Sequence, residues 1–384
     1  MRRLSRREAL AGVAVGALAS GAAVQLAGGA EPDPTAAGPA AEGPYDGPRQ
    51  AGIVTPPPAH LTLAAFDLHT PDRADVPRLL RDWTALTAAL AAGVPPPLET
   101  GEAAGLGAAG LTVTVGFGAS FFDGRHGDRA RRPAGLAAAL PGDERLDRRR
   151  SGGDLVVQVC GEDRQVVFHA VHQLTSAALG IARRRWTQHG FLSRPRPGAT
   201  PRNLFGFKDG TVNPARDDDA ALARHVWAPA GDPLAGGTYL VYRRVRMRLQ
   251  AWDRSPLSVQ EQAVGRRKAS GGPLGGGGER APLAAADAPP RSHVRIAHPD
   301  ANGGVRLLRR AYNYDDGATA DGEQDAGMAF LCFAADPARQ VAPMLARMER
   351  EDELHRYLVH TAGGLYAIPP APAPGVHVGE ELLA

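Results

Sequence analysis

The order of strands and helices is repeated along the chain, and this repeat constrains the fold more than any other feature of the sequence. Runs of alternating or β-branched apolar residues predict strands, and apolar residues three and four apart predict helices. The first half has strands at 61–68, 111–118 and 154–161 and helices at 72–92 and 163–180. The second half has strands at 238–249, 306–314 and 327–336 and helices at 255–266 and 341–358. We therefore predict a duplicated α+β fold with antiparallel sheets, helices on one face of each, and a ligand pocket between the halves.

The first 30 residues have the composition of an export signal rather than of a folded segment. A basic start, MRRLSRR, is followed by a mildly apolar run rich in Gly and Ala, which ends in small residues at Gly28 and Ala30. That order is typical of a signal peptide, and the adjacent Arg6 and Arg7 match a twin-arginine signal. We therefore expect the twin-arginine translocase to export a folded, cofactor-loaded chain to the periplasm or out of the cell. The alternative interpretation is a disordered, Ala-rich start.

Residues 31–59 are predicted to be a linker, because Pro, Gly and Ala dominate the segment and cannot build a core. The folded part is expected to begin near His60. The repeat then places an N-terminal half at 60–212 and a C-terminal half at 213–384.

The distribution of charge argues against a nucleic-acid-binding protein. The chain has 44 Lys and Arg residues scattered among 41 Asp and Glu residues, for a net charge of +3, and they form no basic stripe. The two cysteines, Cys160 and Cys332, lie inside apolar runs, so we expect buried thiols rather than a disulfide. The sequence has neither a Cys/His pair with zinc spacing nor a CxxCH motif for covalent haem attachment.

The segment at 201–214, PRNLFGFKDGTVNP, is the most informative one for chemistry. Its local pattern favours a turn with Asp209 and Gly210 at the corner. The alternative places the Asp209 carboxylate in the wall of a pocket, where flanking glycines would let the backbone approach a flat ligand closely.

Gly206 to Gly210 resembles the GxxDG signature of the dye-decolourising peroxidases. Further segments resemble this family in the same order along the chain, at 113–123, 185–191, 235–254, 265–274, 292–299, 307–314 and 354–370. The resemblance covers about residues 60 to 370. It implies two ferredoxin-like halves of the dimeric α+β barrel type, with haem b held noncovalently in the second half, which agrees with the repeat described above.

The resemblance also implies roles for individual residues. Asp209 matches the distal acid, Arg309 in LLRRAYNY the distal arginine, and His293 in SHVRIAHP the proximal ligand of the haem iron. Asp352 resembles the carboxylate that accepts the second proton of the proximal histidine. Because Glu351 and Glu353 flank Asp352, a solvated helix face is an equal alternative.

Two neighbouring residues compete with these assignments. If both segments are strands, residues one or five apart point to opposite faces. On that basis His298 is predicted to be a structural or surface histidine rather than a second ligand beside His293. By the same alternation only one of Arg309 and Arg310 faces the haem, and Arg309 fits the family pattern.

Other histidines and aromatic residues carry less weight. His169 and His172 lie three apart on a predicted helix and could share a face, but without a third ligand a packed or partly exposed helix face is preferred. Tyr312, Tyr314 and Trp252 are expected to pack in the core, with electron relay as the alternative.

As a member of that family, the chain would be a haem peroxidase that reduces hydrogen peroxide and oxidises bulky dyes or phenolic reductants. Asp209 would shuttle the proton, Arg309 would stabilise negative charge and His293 would hold the iron. A carboxylate shuttle predicts an acidic optimum, since its usual pKa is about 4. The alternative function is a cell-envelope, haem-binding deferrochelatase with iron-uptake partners. A chlorite-dismutase-like enzyme is a weaker third, disfavoured by the GxxDG acid, and a homo-oligomer is compatible with each function.

Overall fold

The computed structural model describes residues 45, 47–96, 99–193, 200–209 and 212–383. The predicted export signal at 1–30 and the first part of the predicted linker, at 31–44, lie outside the described residues, as does Gly210. Contacts divide the chain into Met1–Ala41 and Glu42–Ala384, and the fold below belongs to the second unit.

The described part of the chain contains the predicted strands and helices in the predicted order, and it adds a fourth strand to each half, Ala182–Phe191 and Leu358–Ile368. The first half contains β1 (His60–Leu68), α1 (Asp75–Ala91), β2 (Thr112–Gly118), β3 (Leu155–Gly161), α2 (Arg164–Ala177) and β4 (Ala182–Phe191). A short helix, α3 (Asp219–His225), connects the halves. The second half contains β5 (Thr238–Met247), α4 (Leu249–Asp253), α5 (Leu257–Val264), α6 (His293–Ala297), β6 (Leu308–Arg309), β7 (Tyr312–Ala318), β8 (Gln324–Ala334), α7 (Pro337–Glu351), β9 (Leu358–Ile368) and α8 (Glu380–Leu383).

The strands of both halves follow the same ferredoxin-like order, which confirms the predicted fold class. In the first half the order is β4-β1-β3-β2, and in the second β9-β5-β8-β7, with every pair antiparallel. The two sheets are joined where β2 meets β9 and where β4 meets β7. The strands thus close into one barrel, and β6 precedes β7 along the same edge of β8.

Alternate residues of β1 face two different cores, because side chains of a strand point to opposite sides of the sheet. Ala64 and Phe66 face the helices α1 and α2, where the Phe66 ring contacts Trp83 edge to face at 5.2 Å. Leu63 and Ala65 face the barrel interior. Since both faces are covered, every residue of β2 and β3 is buried, and these strands contain nearly continuous apolar runs.

The structure differs from the predicted linker at 31–59 over its last residues. Gln50 is 1% exposed, and its amide group donates to the carbonyls of Val115 and Pro369 at 3.0 and 2.9 Å and accepts from the Val115 amide at 2.8 Å. Ala51 and Ile53 are buried beside it. A Pro/Gly-rich segment can pack in irregular form when its polar groups find partners on the sheet. The folded part therefore begins before His60.

Both cysteines are free and buried, as predicted. Among the described helices, none combines the length and the apolar character that crossing a bilayer requires.

Candidate active site

A largely apolar cavity in the second half holds the predicted site residues. It encloses about 1650 Å³ of empty space, its open mouth included, and is lined by residues between Asn203 and His360. Apart from the loop at 203–212, the described lining belongs to the C-terminal half, so the cavity lies mainly within that half and receives one loop from the end of the N-terminal half. The cavity lies between strands β5, β8 and β9 on one side and helices α6 and α7 on the other, and each of these elements contributes lining residues. The apolar lining includes Phe205, Val245, Met247, Leu307, Met328, Phe330 and Met344.

His293 is the first residue of α6, and its ring is fixed by the end of another helix. The Oγ of Ser292 caps the helix by accepting from the Arg295 amide at 3.4 Å. The Nδ1 of His293 lies 2.6 Å from the Oδ2 of Asp352, the C-cap residue that follows α7. The side chain of Asp352 is only 2% exposed, and its Oδ1 accepts from the Leu354 amide at 2.8 Å. Of the two interpretations of Asp352, the structure therefore supports the contact with His293 and not the solvated helix face.

This contact determines which nitrogen of His293 is available. A carboxylate only accepts hydrogen bonds, so Nδ1 donates to Asp352 and Nε2 is the nitrogen left for a ligand. Burial acts to lower the pKa of His293, but the charge of Asp352 and its hydrogen bond outweigh burial, and the net shift is upward. The imidazole lines the cavity with 28% of its side-chain surface accessible.

Asp209 and Arg309 form an ion pair in the same cavity. The Nη1 of Arg309 lies 3.0 Å from the Oδ1 of Asp209, and about a quarter of each side chain is exposed. Asn213 positions the backbone of Arg309, because its side-chain amide donates to the Arg309 carbonyl at 2.7 Å and accepts from the Arg309 amide at 3.2 Å. Sequence reasoning missed this role, although Asn213 lies in the same segment as Asp209.

The loop that carries Asp209 turns at 203–206. The Gly206 amide donates to the Asn203 carbonyl at 2.8 Å, and Gly206 has a φ of +84°, which glycine adopts without strain. Asp209 follows the turn, and its amide donates to the Pro201 carbonyl at 3.1 Å. The predicted corner at Asp209 and Gly210 extends beyond the described residues. The Asp209 carboxylate, which follows the turn at 203–206, lies in the cavity wall.

Arg309 and Arg310 point to opposite sides, as strand alternation predicted. Arg309 lines the cavity, whereas Arg310 is 3% exposed and donates to the carbonyl of Thr55 at the end of the predicted linker. The register of β6 and β7 along β8 is continuous through Arg310, whose amide donates to the Leu331 carbonyl at 2.9 Å. The short break within the predicted strand at 306–314 therefore leaves its alternation intact.

The reasoning applied to His298 was wrong, because 293–297 is a helix and not a strand. His293 and His298 both line the cavity. The Nε2 of His298 is 2.9 Å from the Leu283 carbonyl, and its Nδ1 accepts from the Asp300 amide at 3.2 Å. Both ring nitrogens are engaged, so His298 is a structural histidine, as expected, for a different reason.

Two further cavity residues were missed by sequence reasoning. Arg243, on β5, is 1% exposed and pairs with Asp143 at 2.6 Å. Burial, together with the charges of Arg243 and His355, lowers the pKa of His360 to about 4. Arg243 was visible only as a charged residue inside an apolar strand, a signal that a buried cation shares with an edge residue.

The aromatic residues named from the sequence are buried, as their default interpretation predicted. Trp252, Tyr312 and Tyr314 are each 1% exposed. Trp252 stacks on Phe205 of the cavity wall with ring centroids 4.4 Å apart.

Comparisons with known proteins match almost the whole described chain. The family model for the N-terminal domain of Dyp-type peroxidases matches residues 50–192, and the model for the C-terminal domain matches 200–373. A dye-decolorizing peroxidase from Thermobifida fusca (strain YX) is 39% identical, over 87% of this chain and 83% of that protein. A deferrochelatase from Escherichia coli (strain K12) is 34% identical, over 88% and 87%. The structure of ferric DtpA from Streptomyces lividans is 39% identical, covers 90% of this chain and 99% of that one, and has a TM-score of 0.83.

Proposed function

The chain belongs to the dye-decolourising, or Dyp-type, peroxidase family and is a haem-dependent peroxidase, and we propose that His293 ligates its iron while Asp209 and Arg309 act on hydrogen peroxide. The observation that carries the proposal is that His293, whose ring is held by Asp352, lines the same cavity as the Asp209–Arg309 pair.

The chemistry of the cavity fits haem b. A macrocycle needs apolar walls, an axial ligand for its iron and positive charge for its carboxylates. The apolar lining residues supply the walls, and Nε2 of His293 supplies the axial ligand. Arg243 and Arg266 supply the positive charge. When bound, haem supplies an iron centre that exchanges electrons with peroxide and with a reductant.

Asp352 would act through His293. Its carboxylate holds the Nδ1 proton, fixes the orientation of the ring and makes Nε2 a stronger donor to iron. A buried carboxylate in this position is a common partner of metal-bound histidine, and its charge reaches the metal through the imidazole.

Asp209 and Arg309 would serve the peroxide. The Asp209 carboxylate would accept a proton from one oxygen of hydrogen peroxide and return it to the other, departing oxygen. The Arg309 guanidinium, 3.0 Å from that carboxylate, would orient it and stabilise negative charge on the departing oxygen. Asn213, which holds the backbone of Arg309 at two points, would keep the guanidinium in place.

The electron donor would be a bulky aromatic compound, a dye or a phenol. The similarity to the dye-decolorizing peroxidase of Thermobifida fusca supports this substrate class. Export by the twin-arginine translocase, to the periplasm or outside the cell, is part of the same proposal and rests on the basic, apolar and small-residue order of the first 30 residues.

A second candidate function is iron recovery from haem in the cell envelope. The 34% identity to the deferrochelatase of Escherichia coli favours it. It would imply iron-uptake partners for the released metal.

One experiment separates these functions. In the first assay, purified haem-loaded protein is mixed with hydrogen peroxide and an anthraquinone dye. In the second, the protein is incubated with haem and a reductant, and porphyrin is then extracted. We expect a Soret band, peroxide-dependent bleaching over many turnovers, and at least a 100-fold loss of bleaching in Asp209→Asn with haem retained. Bleaching no faster than that by free haem, with metal-free porphyrin recovered, would instead support the deferrochelatase.

A further inference from the structure

Glu99, Glu102 and His169 meet in the N-terminal half, outside the haem cavity. Each offers one ligand atom, and the three atoms lie within 4.8 Å of one another. His169 lies on α2, and the two glutamates lie between α1 and β2. The sequence offered His169 only His172 as a companion, but His172 is exposed and His169 is 5% exposed, so they do not share an environment.

Glu99 has a buried carboxylate with one oxygen that lacks a hydrogen bond among the described residues. Its side chain is 1% exposed. Oε1 accepts from the Ala103 amide at 3.2 Å, whereas Oε2 is buried and has no hydrogen-bond partner among the described residues. That Oε2 lies 3.2 Å from the Nε2 of His169. A buried anionic oxygen without a partner is destabilising unless a positive charge is placed beside it.

The same nitrogen of His169 is approached from a second side. The side-chain amide nitrogen of Gln173 lies 3.2 Å from Nε2, one turn along α2. If that amide donates, it uses the lone pair of an unprotonated Nε2, and the nearby Glu99 oxygen then receives no proton from His169. A cation bound to Nε2 in place of the Gln173 hydrogen bond would neutralise that carboxylate. A proton on Nε2 would do so as well, and it is the competing occupant.

Glu102 would complete the ligand set from the solvent side. It is exposed, and Thr100 orients its carboxylate by donating to Oε1 from its hydroxyl at 2.7 Å and to Oε2 from its amide at 3.1 Å. The cluster thus combines a buried wall, formed by Glu99 and His169, with an open side through which an ion can enter.

We propose that Glu99, Glu102 and His169 bind a divalent transition-metal cation of the zinc class and thereby tie the loop at 99–102 to α2. One imidazole and two carboxylates suit Zn²⁺, with water in the remaining position. Ligands about 2.1 Å from one ion lie at most about 4.2 Å apart, so the separation of 4.8 Å requires side-chain movement of under about 1 Å.

The test uses the haem-loaded, full-length chain after passage over a chelating resin. Zinc chloride is titrated into the wild type, Glu99→Gln, His169→Gln and the matched control His172→Gln by calorimetry, and the thermal midpoint is recorded with and without zinc. We expect one ion per chain in the wild type and the control, at least tenfold weaker binding in the other two variants, and a rise in midpoint confined to the proteins that bind.

Two results would overturn the proposal. A wild type that binds no zinc would assign the cluster to a protonated His169 paired with Glu99. Equal binding by the wild type and by the glutamate and His169 variants would place the ion elsewhere. Should Glu99→Gln not fold, Glu102→Gln decides, because an exposed side chain can change without loss of the core. A zinc-edge anomalous peak about 2.0–2.2 Å from the three atoms would locate the ion directly.

Discussion

The Nδ1 of His293 lies 2.6 Å from the Oδ2 of Asp352, although 59 positions separate the two residues. The contact joins the first residue of α6 to the C-cap residue of α7. It leaves Nε2 of His293 as the nitrogen available as a metal ligand inside the cavity. The activity we propose depends on this pair and on the Asp209–Arg309 pair in the same space.

Replacing Asp352 by Asn should weaken the proximal side without emptying the cavity. The amide can still accept from Nδ1, but the negative charge that strengthens Nε2 as a donor is lost. We expect the rate of peroxide consumption or the affinity for haem to fall by about 10–100-fold, and the reduction potential of the iron to rise. Stopped-flow absorbance measures the rate, and a redox titration measures the reduction potential. Glu351→Gln is the matched control, because that side chain is 51% exposed and should behave as the wild type.

Removing both members of the distal pair should cost little more than removing one. Asp209→Asn and Arg309→Leu are each expected to slow the reaction with peroxide by about 100-fold or more while the Soret band is retained. Because the side chains touch, their effects should not add in the double variant. Full additivity in single-turnover kinetics would show that the two groups act independently. Arg254→Gln, an exposed arginine outside the cavity lining, serves as control.

The packed end of the predicted linker should contribute measurably to stability. Gln50→Ala leaves the Val115 amide and two carbonyls without their buried partner, so we expect a loss of about 1–3 kcal/mol in the free energy of unfolding. Denaturant titration measures it, against the exposed Gln165→Ala as control. Equal stability of both variants would mean that residues 50–54 are not anchored as described.

A partly exposed ion cluster around the buried Arg244 predicts a specific dependence of stability on pH. Arg244 and Arg150 donate to the Oδ2 of Asp316 at 2.8 and 3.0 Å. Burial acts to raise the pKa of Asp316, but these hydrogen bonds outweigh it and the net shift is downward. Ionised Asp316 therefore stabilises the fold above its unfolded pKa of about 4, and this contribution is lost as the pH falls through the lower folded value.

Asp316→Asn tests that sign. The wild type should be more stable by about 1–3 kcal/mol at neutral pH, and the difference should shrink below about pH 4. Denaturant titrations of the haem-free proteins between neutral and acidic pH give the difference directly. A difference that grows on acidification would contradict the assignment of the charge.

The repeat and its strands could be predicted from periodicity, because alternation and helical spacing are local properties of the sequence. Closure of the barrel could not be. It depends on short contacts between distant strands, Phe191 with Asn313 and Phe117 with Ala367. Nothing in the local pattern of those strands identifies a partner in the other half.

The site shows the same division. The predicted strand at 306–314 was long enough for its alternation to be read, and that alternation correctly placed Arg309 and Arg310 on opposite sides. The run from His293 to His298 was too short to distinguish strand from helix, and its alternation was misread. Asp352 lay among three acids, and only the end of α7 decides which of them is buried. The acidic optimum for activity stays a prediction.

The most direct test is the absorption spectrum of pure His293→Ala beside the wild type and His298→Ala. We predict one haem per chain with the same Soret band in the wild type and in His298→Ala. His293→Ala should have lost its haem or show a shifted band that added imidazole restores. A His293→Ala protein with stoichiometric haem and the unchanged wild-type spectrum would contradict the account, because the iron would then be held by another residue.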